Sequence, residues 1–420
     1  METRSTTSVG IRFAILSSAN LGAAALGFVI TLFVARSFGP AGLGMSTLAL
    51  SVAGFGLTAT IFGTDLHAVR TAAALPELMA HHVKVVTALR LMLAGFSYAM
   101  LILVGMLTPA FRDIVPLIAL FGLSVFTVPI GPEWVPQALH RTGVTALANL
   151  SLQIVYLAFL LIGWFLHASL LSVAAAKIGA DLVVAIGFRR WVGRTMRPDS
   201  DRLRWNELVA LAKSSWPICG TQILRTFALS SDLILLGVFL TRADLGHYSA
   251  ASKLFYVMMA FATAYFVILL PRFAESAVRP DPALSDELRA SLRRTVPIAL
   301  AGLAILTLLA RPILVLMFGA TFGVAAPSLA ILGAATVISL ASRHYRQVLL
   351  ARGLQMHDLK FNVVGAITHI GAKLALIPTC GIVGAAIGTL IGEVAILWLQ
   401  RRAAIIELAR GTVKCENVGL

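Results

Sequence analysis

The sequence predicts an all-α, polytopic membrane protein with about 12 transmembrane helices, in two six-helix lobes related by a parallel pseudo-two-fold repeat. Three observations carry that expectation: the composition, a series of apolar windows with charge-marked ends, and a weak internal repeat. Of 420 residues, 58% are hydrophobic and 13% are charged, and the mean hydropathy is +0.89. Soluble chains hold about 45–50% apolar and about 25% charged residues. So large an apolar surplus has no water-shielded place in one soluble core. An ordinary cytosolic enzyme, a disordered tail protein and a secreted disulfide scaffold are excluded. The charge balance is unusual: 34 Lys and Arg against 19 Asp and Glu, a net +15. In a soluble protein such a balance points to nucleic acid. In a membrane protein the position of each charge along the chain has to be read first.

A membrane-spanning helix needs about 20 mostly apolar residues. Such windows fall near 13–34, 42–63, 85–107, 113–132, 146–166, 168–188, 214–239, 246–270, 295–318, 325–341, 361–378 and 381–400. The first lacks a small-residue cleavage site behind it, so it reads as a retained helix rather than a signal peptide. Pro129, Gly131, Pro132 and Pro136 disturb the end of the fourth, and the window at 325–341 is short. About 25 of the 34 basic residues fall at the N-terminus, the even-numbered loops and the C-terminus, which marks that side as cytoplasmic. Odd-numbered loops hold only Arg36, Arg112 and Arg242. Both termini are therefore expected in the cytoplasm, and most of the net charge is topological.

Two cytoplasmic segments exceed a simple turn. The first is rich in arginine, from Arg189 to Arg204, and its continuation through Lys213 reads as a short amphipathic helix at headgroup level. In the second, Asp281 and Pro282 form a good helix start, with Leu284, Leu288 and Leu292 on one face. Basic residues of both segments can touch anionic lipid or serve as plain positive-inside anchors. The resulting division is an N-terminal lobe over 1–190, a basic linker over 191–213, a C-terminal lobe over 214–400 and a cytoplasmic tail over 401–420. Cys219, Cys380 and Cys415 are too scattered for a zinc site or a disulfide framework.

The midpoint position of the first long loop suggests two similar halves. Ala41-Gly42-Leu43-Gly44 matches Ala243-Asp244-Leu245-Gly246, each between the first and second span of its half. The segment Gln137–Gly143 matches Gln347–Gly353, each after the fourth span. Six spans per half give both halves the same orientation, the parallel kind of repeat found in transporters.

Three segments then carry a resemblance. Arg36–Leu50 resembles the first loop of polysaccharide flippases, Ser231–Leu254 their seventh and eighth spans, and Leu376–Glu393 their last hairpin. The chain thus resembles, over almost its whole length, the O-antigen and polysaccharide exporters of the multidrug/oligosaccharidyl-lipid/polysaccharide superfamily. That resemblance implies translocation of a lipid-linked oligosaccharide across the bacterial inner membrane by alternating access. It also implies membrane lipids, a polysaccharide polymerase and glycosyltransferases as partners, with no nucleic acid. No nucleophile, metal or nucleotide-binding motif is visible, so neither a cofactor nor an enzymatic activity is expected.

Ionisable residues inside spans are costly and mark pathways or pairs. The basic ones are Arg90, Lys177, Arg225, Lys253, Arg311 and Lys373; the acidic ones are Asp181, Asp232 and Glu393, with Asp65 at an edge. An excess of Arg and Lys suits an anionic, diphosphate-linked cargo. Arg225, Lys253, Asn20 and Arg90 are the candidate substrate contacts. For Asn20 the resemblance adds weight, because the first and seventh spans line the family's cavity. Asp181, Asp232 and Glu393 are the candidates for ion coupling. Neutralising pairs compete with these roles: Asp232 with Arg225 or Lys253, and Lys177 with Asp181, which lie four residues apart on one face. Snorkelling to the interface competes for Arg90, Arg311 and Lys373. Polar Asn149, Gln153 and Asn362 are expected to bond neighbouring helices. A multidrug or small-cation antiporter and a non-transporting assembly scaffold are the alternative functions.

Overall fold

In hydrocarbon every backbone polar group must be satisfied within the chain, which leaves helices as the simplest way across. The computed structural model describes the backbone of residues 3–74, 78–139, 141–167, 169–196, 202–278 and 283–409. The side chain of Arg225, Asp281 with Pro282, and Cys415 lie outside the described residues. No strand occurs among the described residues; the helices are α1 (Thr3–Ile61), α2 (Thr64–Ala74), α3 (Met79–Leu107), α4 (Val115–Gly122), α5 (Thr127–Ile130), α6 (Trp134–Ala138), α7 (Thr142–His167), α8 (Leu170–Thr195), α9 (Trp205–Phe239), α10 (Arg242–Val278), α11 (Ala283–Phe318), α12 (Ala326–Ala351) and α13 (Gln355–Ala409).

Among the described residues, eight helical stretches are long and apolar enough to cross a membrane. The first and last are each two spans joined at a glycine. Gly39 has φ 66° and Gly381 has φ 57°, a region open mainly to glycine. Pro40 then opens the second limb of α1 at a helix start, where its missing N–H costs nothing. With α9 and α10 as the seventh and eighth spans, the described helices account for twelve. The all-α polytopic fold is therefore as the sequence predicts.

The chain divides into two compact units, 1–238 and 239–420. In the first unit, the second limb of α1 runs along α9. The Thr58 and Thr226 hydroxyls are 2.9 Å apart, and a Cβ on Gly63 would meet Ile218 at 2.6 Å. The fourth span is broken into α4, α5 and α6 with 3-10 turns between, as its prolines foretell. Gly131 in this break lies so close to Ala185 of α8 that a Cβ would fall 2.8 Å from its Cα.

The expected amphipathic helix before the seventh span is not a separate element. It forms the first turns of α9, and it buries Leu208 and Leu211 against Val83, Val86, Trp134 and Val192. Glu207 anchors this start: it accepts from the Arg204 backbone N–H at 3.1 Å and faces His81 Nε2 at 3.3 Å. The Arg204 amide, followed by His81, holds its carboxyl below the usual range. In the second unit, Leu284 and Leu288 are buried and Leu292 packs beside them, against Phe273, Val348 and Leu349. That is the face expected from their spacing.

The two repeat motifs occupy matching places within their own units. Leu43 and Leu245, one turn into the second limb of α1 and into α10, are 1% and 0% exposed. Gln137 and Ala138 end α6 shortly before α7, and the residues from Gln347 to Ala351 end α12 shortly before α13.

The α13 hairpin is closed by glycines four apart. A Cβ on Gly388 would lie 2.5 Å from Lys373 Cγ, and one on Gly392 would lie 2.3 Å from His369 Cδ2. Small residues let the two limbs approach and leave room for two large polar side chains. Gly388→Ala or Gly392→Ala is therefore expected to destabilise the protein by about 1–3 kcal/mol through overpacking. Gly371→Ala, where a Cβ meets nothing within 4 Å, should be neutral or stabilising. Thermal unfolding of the three purified variants checks this; equal melting temperatures would contradict the packing argument.

Candidate functional site

The first unit encloses a charged cavity of about 210 Å³. Its walls come from α1, α2, α3, the broken fourth span, α7 and α8, and they carry Asp65, Arg90, Glu133, Lys177 and Asp181. Each charge is placed by a local reason. Gly63 turns the chain at φ 69°, which starts α2 and brings Thr64 and Asp65 under α3. Arg90, 2% exposed on α3, donates from Nε to Thr64 Oγ1 at 2.8 Å and from Nη2 to Asp65 Oδ1 at 2.5 Å. On α8, Lys177 pairs with Asp181 one turn on. Ser124, in the 3-10 turn between α4 and α5, donates to the other Asp181 oxygen at 2.6 Å. Glu133, just before α6, is exposed and lines the same cavity.

The cavity thus holds three carboxylates and two cations, one negative charge in excess. Asp65 and Asp181 are each matched by a cation, and Glu133 is the acid of this cavity that forms no ion pair among the described residues. Such a constellation can take up one proton or a small cation, because either restores neutrality.

The second unit buries a different cluster. Glu393 Oε1 lies 3.9 Å from His369 Nε2, Ser339 hydrogen-bonds it, and Arg343 and Lys373 are near enough to act on its charge. Closer to the α12–α13 junction, Asp358 is 5% exposed and accepts from Arg346 Nε at 2.8 Å, Asn362 Nδ2 at 3.1 Å and Gln400 Nε2 at 2.9 Å. Ser342 completes this network by donating to Gln400 Oε1 at 2.6 Å.

The structure treats the sequence candidates unevenly. Arg90 does not snorkel: it is buried and bonded inside the first unit. Lys373 is likewise 3% exposed rather than at the interface, because Gly388 leaves room for it. The Lys177–Asp181 pair forms as its spacing predicts. Asn362 bonds Asp358 of its own helix, not a neighbouring one. Asp232 is 9% exposed and accepts from Ser231 at 3.4 Å. Asn20 is exposed, and Lys253 forms no ion pair among the described residues. The Arg225 side chain lies outside the described residues. Glu133, Thr64, Ser124 and His369 were not singled out by sequence; for Glu133 the available signal was a carboxylate beside Gly131 and Pro132 in a span already marked as broken.

The helices thus form an all-α, twelve-span membrane fold with a buried charge cluster in each unit. A profile of polysaccharide biosynthesis proteins matches residues 11–277, and the chain belongs to that family. Among solved structures it is similar to the lipid II flippase MurJ in an inward closed conformation, with TM-score 0.70 and 14% identity over 94% of this chain and 89% of that one. It is also similar to an inward-facing multidrug resistance MATE family transporter of the MOP superfamily, with TM-score 0.67 and 13% identity over 92% and 94%. A MATE transporter of Vibrio cholerae gives TM-score 0.56 and 16% identity over 97% and 99%. These likenesses show a shared two-lobe helical fold. No curated protein sequence matches significantly.

The Arg90–Asp65 pair is asymmetric, with side chains 3% and 43% exposed. Asp65→Ala strands a buried guanidinium and is expected to cost about 3–5 kcal/mol. Arg90→Met leaves a carboxylate that water can reach, so its cost should be smaller, about 1–3 kcal/mol. Unfolding midpoints of the two variants give the order; Arg90→Met as the more damaging change would contradict the burial argument.

Proposed function

We propose that this protein is a flippase. It carries a polyprenyl-diphosphate-linked oligosaccharide from the cytoplasmic to the outer leaflet of a bacterial inner membrane, for cell-surface polysaccharide synthesis. The family match over residues 11–277 carries the reading. The intramembrane charges support it: basic residues outnumber acidic ones within the spans, and Arg225 on α9 and Lys253 on α10 are the proposed contacts for the diphosphate. Asn20 is proposed to meet the sugar. The loop charges support cytoplasmic termini, and the 1–190 and 214–400 segments are the proposed rocking lobes. A polymerase and glycosyltransferases that use or supply the cargo are the expected partners. Transport is non-enzymatic: cargo bonds are neither made nor broken.

The cavity of the first unit is the proposed coupling site. Asp181 lies eleven residues into α8, roughly 17 Å along its axis, and Glu133 is exposed. A proton arriving at Glu133 neutralises the surplus charge and weakens the pull on Lys177 and Arg90. Uptake at one face and release at the other would bias the two access states. Arg90, a substrate candidate by sequence, is better placed here, as the partner of Asp65. Glu393 with His369 is the corresponding candidate in the second unit. A small-cation antiporter is the second reading, favoured by the carboxylate surplus of the same cavity.

Arg225→Ala and Lys253→Ala are each expected to slow appearance of lipid-linked glycan in the outer leaflet about tenfold or more, as loss of a charged hydrogen bond does. Wild-type rates in both and in the double variant would sink the substrate assignment and favour the antiporter or a scaffold. In proteoliposomes with an imposed pH gradient, Glu133→Gln and Asp181→Asn should transport without responding to the gradient, whereas Glu275→Gln should respond normally. An undiminished response in the first two would remove the cavity from coupling.

A further inference from the structure

A groove of about 420 Å³ runs on the second unit between α11, α12 and the end of α13. Arg293, Tyr345 and Arg401 line it, together with apolar Val296, Pro297 and Leu397. Arg293 and Arg401 stand at the ends of long apolar runs of their helices. Beyond Arg293 and Arg294, α11 has no charge until Arg311. Between Gly381 and Gln400, α13 carries only Glu393, and Arg401 and Arg402 follow directly. Trp398 is 59% exposed with the Arg402 guanidinium 5.5 Å over its ring, an arrangement suited to the headgroup boundary. Pro297 lines the groove and offers no N–H to the Arg293 carbonyl four residues back.

Arg293 and Arg401 are exposed, and neither forms an ion pair among the described residues. On the same helices Asp286 faces Arg289 at 3.9 Å and Asp358 holds Arg346. Two guanidiniums above an apolar trough match one kind of occupant in shape and charge. We propose that this groove is a binding site for an anionic glycerophospholipid of the cytoplasmic leaflet. The phosphodiester lies between Arg293 and Arg401 with the Tyr345 hydroxyl beside it, and an acyl chain lies over Pro297 and Leu397. A zwitterionic lipid brings its own ammonium to the phosphate and gains less from the arginines. The assignment rests on the membrane placement above and not on the identity of the transported cargo.

The test is native mass spectrometry of the purified full-length protein with phosphatidylglycerol, phosphatidylethanolamine and a polyprenyl phosphate. Wild-type protein should prefer phosphatidylglycerol to phosphatidylethanolamine. The R293A/R401A variant should bind phosphatidylglycerol about 25-fold more weakly, from roughly fivefold per arginine near an anionic headgroup. R293K/R401K should retain most of the affinity, and R112A/R242A, an equal loss of charge in the odd-numbered loops, should bind as wild type. Four outcomes would overturn the proposal: unchanged affinity in R293A/R401A, equal loss in R112A/R242A, no headgroup preference in the wild type, or tighter binding of polyprenyl phosphate than of phosphatidylglycerol. The wild-type preference needs no variant, so misfolding of R293A/R401A cannot shelter the idea. Lipid binding and glycan transport are read separately, so failure of one does not imply failure of the other.

Discussion

Hydrocarbon offers no water to complete a hydrogen bond, and the architecture follows from that constraint. Each span satisfies its own backbone as a helix. Where the helix is interrupted, the freed groups must face protein or a polar space. The broken fourth span obeys this rule. Its turn contributes Ser124 to Asp181, and Glu133 at its next break lines the same charged cavity. The prolines and glycine that look like defects in an apolar window are thus what allows a polar cavity inside the first unit.

The same constraint governs charge. Arg90, Lys177, Lys373, Asp181 and Asp358 could not remain in the apolar layer alone without a penalty of several kcal/mol each. Arg90, Lys177, Asp181 and Asp358 are met by opposite charges or by hydroxyls and amides. Glycine makes part of this possible on α13, where Gly388 and Gly392 leave the volume that Lys373 and His369 fill. Close backbone approach and charge burial are one solution there, not two.

This explains which parts were legible in the sequence. Span number and direction are written locally, in apolar length and in the basic residues at the ends. The Lys177–Asp181 pair was legible because both partners share one helix face. Arg90–Asp65 and His369–Glu393 were not, since each pair joins separate helical stretches, α2 with α3 and the two limbs of α13, that meet only in the folded chain. A hydropathy window saw 325–341 as short because polar residues begin there. The helix in fact continues to Ala351, since Ser342, His344 and Arg346 find partners inside the bundle. Hydropathy counts a polar side chain as a cost and cannot see the bond that offsets it.

A net charge of +15 therefore divides by accessibility to a counter-charge. Loop residues are balanced by water and salt and orient the chain. Residues such as Arg90 and Lys177 are balanced by neighbours, so a passing anion gains little from them unless those neighbours are protonated first. That condition is what can make a buried pair useful for coupling: its charge becomes available only when a proton arrives. Lys253, with no ion pair among the described residues, and the groove arginines Arg293 and Arg401 need no such trigger. They differ in depth, within a span for Lys253 and at the headgroup boundary for the arginines. Depth then assigns the ligand: an anion that must enter the membrane interior for the first, and one already anchored in the leaflet for the second.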